Sequence, residues 1–318
     1  MAELPVTAAF SASSGRISAL AFLPNFDVEA YGHVIASRQE GGLDLYDIDG
    51  VRIGELAGPA LNGLATAPRF QLRGEDLPLA FGVDPATGTL SGYAIVRERG
   101  DMFPLPLTPI ASETRYTGLC FLSEGPGFVD LVLLSTGTQA DIVRVRDTGD
   151  QLLSVDIQSS LSLPFPARRC ATLNDNIYTL GDGNGVARTS TEGEQLARGD
   201  FNGHQLTTMQ MGGTPAVLMT RAGSEDSFDI QVLDADTLAP LAEVSIMDGL
   251  STPGLGNAGP LVATDASYGF TAYSTGLIAV YDRADDRIKV IARDTFVRST
   301  LVSILEAEGL TPETGPTN

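Results

Sequence analysis

The amino-acid sequence repeats a pattern of four short apolar runs at a spacing of about 45 residues. The runs contain four to seven residues rich in Val, Ile, Leu, Phe and Tyr, and they are separated by Gly, Asp, Asn and Pro. Such runs predict β-strands joined by turns. Six units of four strands indicate an all-β fold, the six-bladed β-propeller, in which each blade packs against its neighbours. This fold explains how more than 300 residues can form a single domain.

The predicted blades follow one another along the chain. The first blade contains runs at 33–37, 43–48 and 51–53, and Asp49-Gly50 predicts a two-residue hairpin turn before the last of these. The later blades are predicted to begin with runs at 64–70, 116–122, 170–173, 206–209 and 261–264. In the sixth blade the remaining strands are predicted at 269–273, 277–281 and 288–292.

A short C-terminal helix is predicted after the sixth blade. Apolar residues in 297–308 recur at helical spacing, and Gly309 follows as a C-cap. Residues 311–318 are polar and contain Pro, so they predict a flexible C-terminal tail. We therefore assign residues 1–310 to a single propeller domain.

The charge balance argues against one class of partner. The chain contains 40 acidic and 20 basic residues, which gives a formal net charge of −20. Nucleic acid is not an expected partner, because its phosphates would be repelled and no Lys/Arg cluster compensates locally. No run approaches the roughly 18 apolar residues of a membrane span. The first residues lack the basic and apolar regions of a signal peptide, which leaves a cytoplasmic protein and a mature secreted chain as alternatives.

Three short motifs are better explained by turns than by ligand binding. Residues 254–259 match a dinucleotide fingerprint as a string, but Pro260 and a predicted strand follow where that motif requires a helix. Residues 182–185 have too few carboxylates for a calcium loop, and the aspartates at 44, 47 and 49 lack a closing Glu.

No Ser has the context of a catalytic nucleophile, and neither His33 nor His204 has neighbours that suggest a triad.

The pair Arg168-Arg169 is a more unusual feature. It lies between Pro166 and Cys170, at the start of a predicted inner strand. Two cations at this position would line the mouth of the central channel and bind an anion. The alternative is a solvated turn that only leads into the strand.

Several segments resemble the β-propeller phytases and phytase-like proteins, in the order and spacing of that family. Residues 34–50 are similar to its first-blade hairpin, 116–121 resemble its Tyr-Gly-Leu-Cys segment, and 169–186 keep the spacing of its Glu-Gly-Cys segment. The resemblance implies the propeller fold and an N-terminal strand within 6–13 that closes the last blade. It also implies that Cys120 and Cys170 lie close together on adjacent inner strands, as a disulfide pair.

Most catalytic positions of that family hold other residues here. Members that are phytases bind several calcium ions with a ring of carboxylates, and these ions bind phosphate and activate water. Where the family has acidic residues, this chain has Ile17-Ser18, Arg168-Arg169, Asn202, His204 and the carboxylate-free segment 249–264. Only Tyr116 and Asp182 retain chemistry near that of the family, and they are weak catalytic candidates.

These departures favour a non-catalytic, phytase-like propeller that binds a small ligand or a protein partner through its channel face or loops. The candidate ligand-binding residues are Arg168, Arg169, His204 and Arg38, and neither a metal nor a cofactor is expected. The resemblance implies a periplasmic or secreted location, with a cytoplasmic one left open.

Two alternative functions remain open at this stage. One is a calcium-dependent phosphohydrolase of the phytase type whose site has moved to other residues. It requires convergent carboxylates on one propeller face, which Glu225-Asp226 or Asp285-Asp286 would have to supply. The other is an unrelated propeller, such as a sugar- or surface-binding module, although the order of the motifs argues against it.

Overall fold

The computed structural model describes residues 1–11, 15–222, 228–307 and 309. Over these residues the chain is mainly β-sheet, and it begins with two short strands, β1 (Ala2–Pro5) and β2 (Ala8–Ala9). The strands that follow build six antiparallel blades around a central channel, and in each blade the chain runs from the inner strand outwards. This is the six-bladed β-propeller that the sequence predicts.

The first three blades are formed by residues 17–162. Blade one contains β3 (Ile17–Leu23), β4 (His33–Arg38), β5 (Leu43–Asp47) and β6 (Arg52–Leu56). Blade two contains β7 (Asn62–Ala67), a small hairpin of β8 (Gln71–Leu72) and β9 (Glu75–Asp76), then β10 (Leu79–Asp84), β11 (Thr89–Val96) and β12 (Asp101–Leu105). Blade three contains β13 (Tyr116–Gly125), β14 (Phe128–Ser135), β15 (Gln139–Arg146) and β16 (Ser154–Ser162).

The last three blades follow in the same way. Blade four contains β17 (Arg169–Leu173), β18 (Asn176–Gly181), β19 (Gly185–Ser190) and β20 (Gln195–Gly199). Blade five contains β21 (Gln205–Met211), β22 (Thr214–Ala222), β23 (Phe228–Asp234) and β24 (Pro240–Met247). Blade six contains β25 (Ala258–Thr264), β26 (Leu277–Asp282) and β27 (Arg287–Ala292).

The first strand of each blade lines the channel, and packing between blades forms the core. β3 contacts β7, and the series of contacts continues through β13, β17, β21 and β25 back to β3. Over the described residues, six clusters of buried apolar side chains lie between successive blades. Phe81 of blade two and Leu131 of blade three share one cluster, for example. Each blade therefore buries its two faces against its neighbours.

The N-terminal segment closes the ring, as the resemblance to phytase-like propellers implies. β2 pairs antiparallel with β27 and becomes the fourth strand of blade six, with Ala8 opposite Val290. Residues 12–13 of the predicted closing strand lie outside the described residues. β1 was not predicted: it adds to blade five as a fifth strand, parallel to β24, with Leu4 opposite Ile246.

Two local predictions are wrong in detail. The strand predicted at 269–273 is instead a loop with one helical turn, α1 (Phe270–Tyr273). Because β2 supplies the fourth strand of blade six, the segment 269–273 is not needed as a strand of that sheet. The turn at Asp49-Gly50 is longer than predicted, since β5 ends at Asp47 and β6 begins at Arg52. The Asp47 carboxylate accepts the N–H of Val51 at 2.8 Å, which stabilises the longer turn.

The predicted C-terminal helix is present and begins earlier than predicted. It is α2 (Arg293–Ala307), and it packs against β1, β24 and β27. Gly309 has a positive φ of 74°, and its N–H donates to the carbonyl of Glu306 at 3.1 Å, as a C-cap does. The tail 311–318 lies outside the described residues. Short 3₁₀ helices occur at Glu29–Tyr31 and Arg97–Arg99. None of the described helices has the length and apolar content needed to cross a membrane.

Candidate functional site

A cavity of about 420 Å³ follows the axis of the ring and is lined by the inner strands of all six blades. We call the end where these strands begin the entrance and the end where they finish the exit. At the entrance, Asn62 Nδ2 donates to the carbonyl of Thr117 at 3.0 Å. Towards the exit, Thr66 Oγ1 donates to the carbonyl of Phe22 at 2.6 Å. Such contacts between neighbouring blades hold the channel wall in register.

A disulfide crosses the channel wall between blades three and four. Cys120 of β13 and Cys170 of β17 are joined with a Cα–Cα distance of 5.6 Å, and both line the cavity. The bond links two inner strands whose cysteines are 50 residues apart in sequence. It fixes the start of β17, and with it the backbone of Arg169, relative to blade three.

Arg169 is a partly buried cation at the entrance. Its Nε donates to Gln205 Oε1 at 3.0 Å, and its Nη1 donates to the carbonyl of Arg168 at 2.9 Å. Burial lowers the pKa of Arg169, and the nearby charges of Arg168 and Arg283 lower it further, against the opposing effect of Asp182. Within the part of the chain that the structure describes, Arg169 forms no ion pair. Both of its observed hydrogen-bond partners are neutral.

Arg168 extends into solvent beside it. Its Nη1 lies 2.7 Å from Asp182 Oδ2, and both side chains are largely exposed. Exposed ion pairs of this kind contribute roughly 0–1 kcal/mol. The pair is therefore a weak contact that a stronger anion can replace at Arg168.

Of the other two predicted ligand-binding residues, His204 lies beside the entrance and Arg38 lies apart from it. His204 lines a groove of about 1000 Å³ between blades four and five, together with Asp182 and Arg221, and its backbone N–H donates to Thr220. This groove adjoins the entrance through Asp182. Arg38 lies in blade one, where its guanidinium pairs with Asp44 at 3.0 Å. The structure thus brings Arg168 and Arg169 together, places His204 next to them, and separates Arg38.

The two weak catalytic candidates do not share a site. Tyr116 is buried in blade three, and its hydroxyl donates to Asp141 Oδ2 at 2.7 Å. Burial and the bond to the Asp141 carboxylate raise the pKa of Tyr116. Tyr116 lines a small cavity between blades two and three, whereas Asp182 lines the groove between blades four and five.

Carboxylates do not converge on a metal site in the described ranges. No group of three or more His, Cys, Asp or Glu side chains is placed to hold a metal ion there. Asp285 lies 3.2 Å from Lys289 Nζ, and Asp286 accepts the hydroxyl of Tyr281 at 2.5 Å. Glu225-Asp226 lies outside the described residues.

The backbone of the glycine-rich segment 254–259 binds a carboxylate of the protein itself. The N–H groups of Gly256 and Asn257 donate to the Asp282 carboxylate at 2.9 and 2.7 Å. Lys289 Nζ contacts the same carboxylate at 2.5 Å. Residues 258–264 then form β25 and not a helix, so the loop lacks the phosphate-binding geometry of a dinucleotide site.

Two residues of the entrance were not predicted from the sequence. Gln205 begins β21 and accepts from Arg169, and Arg283, which follows β26, contributes positive charge near Arg169. Gln205 is the first residue of an inner strand, as Arg169 is. Because the starts of the inner strands converge around the channel, this position could have indicated Gln205.

No protein-family model matches the chain, and no curated protein matches it in sequence. Solved structures do match. BBS1N in complex with ARL6DN, soaked with lead, has a TM-score of 0.51 at 8% identity and covers 86% of this chain and 78% of that chain. The computationally designed Ika8 protein has a TM-score of 0.43 at 13% identity over 90% and 74% of the two chains. At 8% identity, the first likeness shows the fold alone, and it agrees with the propeller described above.

Proposed function

We propose that this propeller is a non-catalytic binding module, which holds an anionic group of a small ligand or protein partner at the channel entrance. The observation that carries the proposal is the Arg169 guanidinium. It is partly buried, it is held by neutral partners, and it stands beside the exposed cation Arg168. An anion at this position would gain two charge-assisted contacts.

Desolvation favours this use of Arg169. A partly buried cation without a carboxylate in direct contact has lost water contacts, and the charge of Asp182, which is paired with Arg168, replaces them only in part. Its hydrogen bonds to Gln205 and to the Arg168 carbonyl employ only Nε and Nη1, whereas a guanidinium has five N–H donors. A phosphate or carboxylate group would accept from the remaining donors. The disulfide beside Arg169 reduces the reorganisation needed on binding.

The absence of catalysis in this proposal rests on three observations. Tyr116 is buried against Asp141, Asp182 is paired with Arg168, and no cluster of three metal-ligating side chains is found in the described ranges. We infer a divergent, phytase-like propeller on the strength of the motif order. A protein partner agrees with the fold as well, since BBS1N, a propeller-like neighbour, has been solved in complex with ARL6DN.

We further propose a periplasmic or secreted location. The support is the disulfide between Cys120 and Cys170, because disulfides persist in oxidising compartments and are rare in the cytosol of mesophiles. The phytase-like motifs support the same location.

The binding proposal is tested by calorimetric titration with phytate, a polyphosphorylated anion. We expect saturable binding to the wild-type protein and a loss of at least about ten-fold in affinity in the Arg168→Ala/Arg169→Ala variant. Arg146→Ala is the matched control, because Arg146 is an exposed arginine that pairs with Asp156 at 3.3 Å in blade three. Equal affinity in the double variant and the wild type would disprove the assignment of the entrance.

The phosphohydrolase alternative is tested with the same protein samples. Calcium sites built from several carboxylates would raise the melting temperature on addition of calcium, because the ion would bind only the native state. We expect no calcium-dependent rise beyond that produced by the same ionic strength of magnesium, and no release of phosphate from phytate. A clear calcium-specific rise together with phosphate release would establish the enzyme instead.

A further inference from the structure

The exit end of the channel presents four large apolar side chains to solvent. Phe26, Val28 and Tyr31 lie on the loop between β3 and β4, and Phe270 lies on the loop between β25 and β26. Their exposed fractions are 47%, 47%, 66% and 59% in that order. We call these four residues the exit patch. Exposed apolar groups gathered at one place on a protein often mark an interaction site.

The two loops are joined into one surface. Ser267 Oγ donates to Glu29 Oε2 at 2.6 Å, and the buried Tyr268 hydroxyl donates to the carbonyl of His33 at 3.1 Å. These contacts connect blades one and six across the point where the ring closes. The patch is therefore carried by loops that are tied to each other and to the core.

The backbone at Phe270 is in an unusual conformation. Its φ of 52° is in the left-handed region, which bulky L residues rarely adopt. The preceding Gly269 also has a positive φ of 65°. Strained conformations of this kind persist where the surrounding structure holds them, and they are concentrated at functional surfaces. The Phe270 side chain, which follows from this backbone position, is largely exposed.

Acidic groups are interleaved with the patch and line the groove beside it. Asp27 and Glu29 alternate with the apolar residues of the first loop, and both are exposed. A groove of about 680 Å³ next to Phe26 is lined by the carboxylates of Asp27, Asp76, Glu98 and Glu124 and by two guanidinium groups. Negative charge thus predominates around the patch, as it does over the whole chain.

The two guanidinium groups of the groove already have contacts. Arg69 stacks over the Phe26 ring with 3.8 Å between its Cζ and the ring centroid, and Arg97 donates to the carbonyl of Pro24 at 2.8 Å. The Glu124 Oε2 atom is buried and has no hydrogen-bond partner in the described structure. Burial raises the pKa of Glu124, and the nearby arginines oppose this effect.

We propose that the exit patch docks a protein segment that presents apolar side chains flanked by Lys or Arg. The aromatic rings of the patch supply the kind of anchor that dominates binding energy at interfaces, and the surrounding carboxylates select a basic partner. A second copy of this chain would bring the same acidic patch and be repelled. An anionic lipid surface would be repelled for the same reason. This site is separate from the entrance and does not depend on the function proposed there.

The test uses the fact that the chain contains no Trp. A Tyr31→Trp variant places a single Trp within the patch, and the emission of this Trp reports on its surroundings. A short synthetic peptide of Leu and Arg is the probe, and the same peptide with Glu in place of Arg is its charge control. We expect a saturable blue shift with the Leu/Arg peptide, weakened by salt, and none with the Leu/Glu peptide. No saturable shift with the Leu/Arg peptide, or an equal shift with both peptides, overturns the proposal.

Variants then separate docking at the patch from general attraction to an acidic protein. In the Tyr31→Trp background, Phe26→Ser/Phe270→Ser is expected to weaken binding at least about ten-fold. The matched control is Phe103→Ser, which removes an aromatic ring of 49% exposure on blade two. Each variant is first shown to keep the wild-type melting transition. The proposal is contradicted if the control and the double variant lose the same affinity, or if the peptide induces a dimer in sedimentation. Retained binding in Arg168→Ala/Arg169→Ala supports a site separate from the entrance.

Discussion

The hydroxyl of Tyr116 donates a hydrogen bond of 2.7 Å to the carboxylate of Asp141 inside blade three. Asp141 is fully buried and also accepts from Gln139 at 2.8 Å and from Ser160 at 2.6 Å. These donors satisfy a carboxylate that would otherwise be costly to bury. Tyr116, which the sequence indicated as a catalytic candidate, thus joins β13 to the Asp141 carboxylate of β15, and this carboxylate in turn holds β16 through Ser160.

Tyr116→Phe is therefore expected to reduce stability without changing anion binding. Loss of one donor to a buried carboxylate should lower the free energy of unfolding by about 1–3 kcal/mol, measured by urea denaturation. Tyr31→Phe is the matched control, since the Tyr31 side chain is exposed and its variant should unfold like the wild type. A Tyr116→Phe protein of wild-type stability but altered phytate affinity would contradict the structural role.

Lys289, the only lysine of the chain, is buried where blade six meets the loop before it. Its Nζ lies 2.5 Å from Asp282 and 3.2 Å from Asp285, and it also donates to the carbonyl of Gly254. Burial acts to raise the pKa of Asp282, but hydrogen bonds from Gly256, Lys289 and neighbouring N–H groups hold it below its usual value. Lys289 therefore compensates the negative charge of Asp282, and the same carboxylate accepts backbone N–H groups of the loop before β25.

Lys289→Met leaves this buried carboxylate without its cation. We expect the free energy of unfolding to fall by about 3–5 kcal/mol in urea denaturation. Arg287→Met, at the exposed start of the same strand, should have little effect. A loss of less than about 1 kcal/mol in Lys289→Met would show that the ion pair is not needed to hold the loop.

The lowered pKa of His33 predicts that the stability of the protein depends on pH. Burial, assisted by the charge of Arg97, lowers the pKa of His33 from 6.5 to about 4, with Glu98 opposing. Between these values the unfolded chain binds a proton that the folded chain does not. The free energy of unfolding should therefore fall as the pH is lowered from 6.5 to 4, by about 3 kcal/mol in total from this group.

The variant His33→Gln isolates this contribution in chemical denaturation across that pH range. Its free energy of unfolding should fall less steeply than that of the wild type. If His33→Gln and the wild type lose stability in parallel, the decline belongs to carboxylates and not to His33.

The blades were predictable because each depends on local sequence. Alternating apolar residues and turn-forming pairs fix strands such as β4 and β5 within about twenty residues of one another, and the repeat then indicates the ring. The parallel addition of β1 was not predictable in this way. It pairs Ala2 with Val244, and only the closed ring brings the N-terminus beside blade five.

The candidate site was predicted only in part for a related reason. The sequence indicated Arg168 and Arg169 because two adjacent cations precede an inner strand. It could not show that Arg169 contacts Gln205, 36 residues away on the next blade, or that Asp182 folds back onto Arg168. Arg38 was grouped with them by sequence, although its pairing with Asp44 holds it within blade one. These contacts depend on how neighbouring blades pack.

The most direct test of the binding account is the effect of Asp182→Asn on phytate affinity and on phosphate release in the same sample. In this account Asp182 competes with the ligand for Arg168, so loss of its charge should strengthen phytate binding by up to about five-fold, with no phosphate release before or after. Weaker phytate binding in Asp182→Asn would contradict the account, because Asp182 would then not compete with the ligand. Phosphate release by the wild type that the substitution lowers would also contradict it, and would assign the Asp182 carboxylate to catalysis.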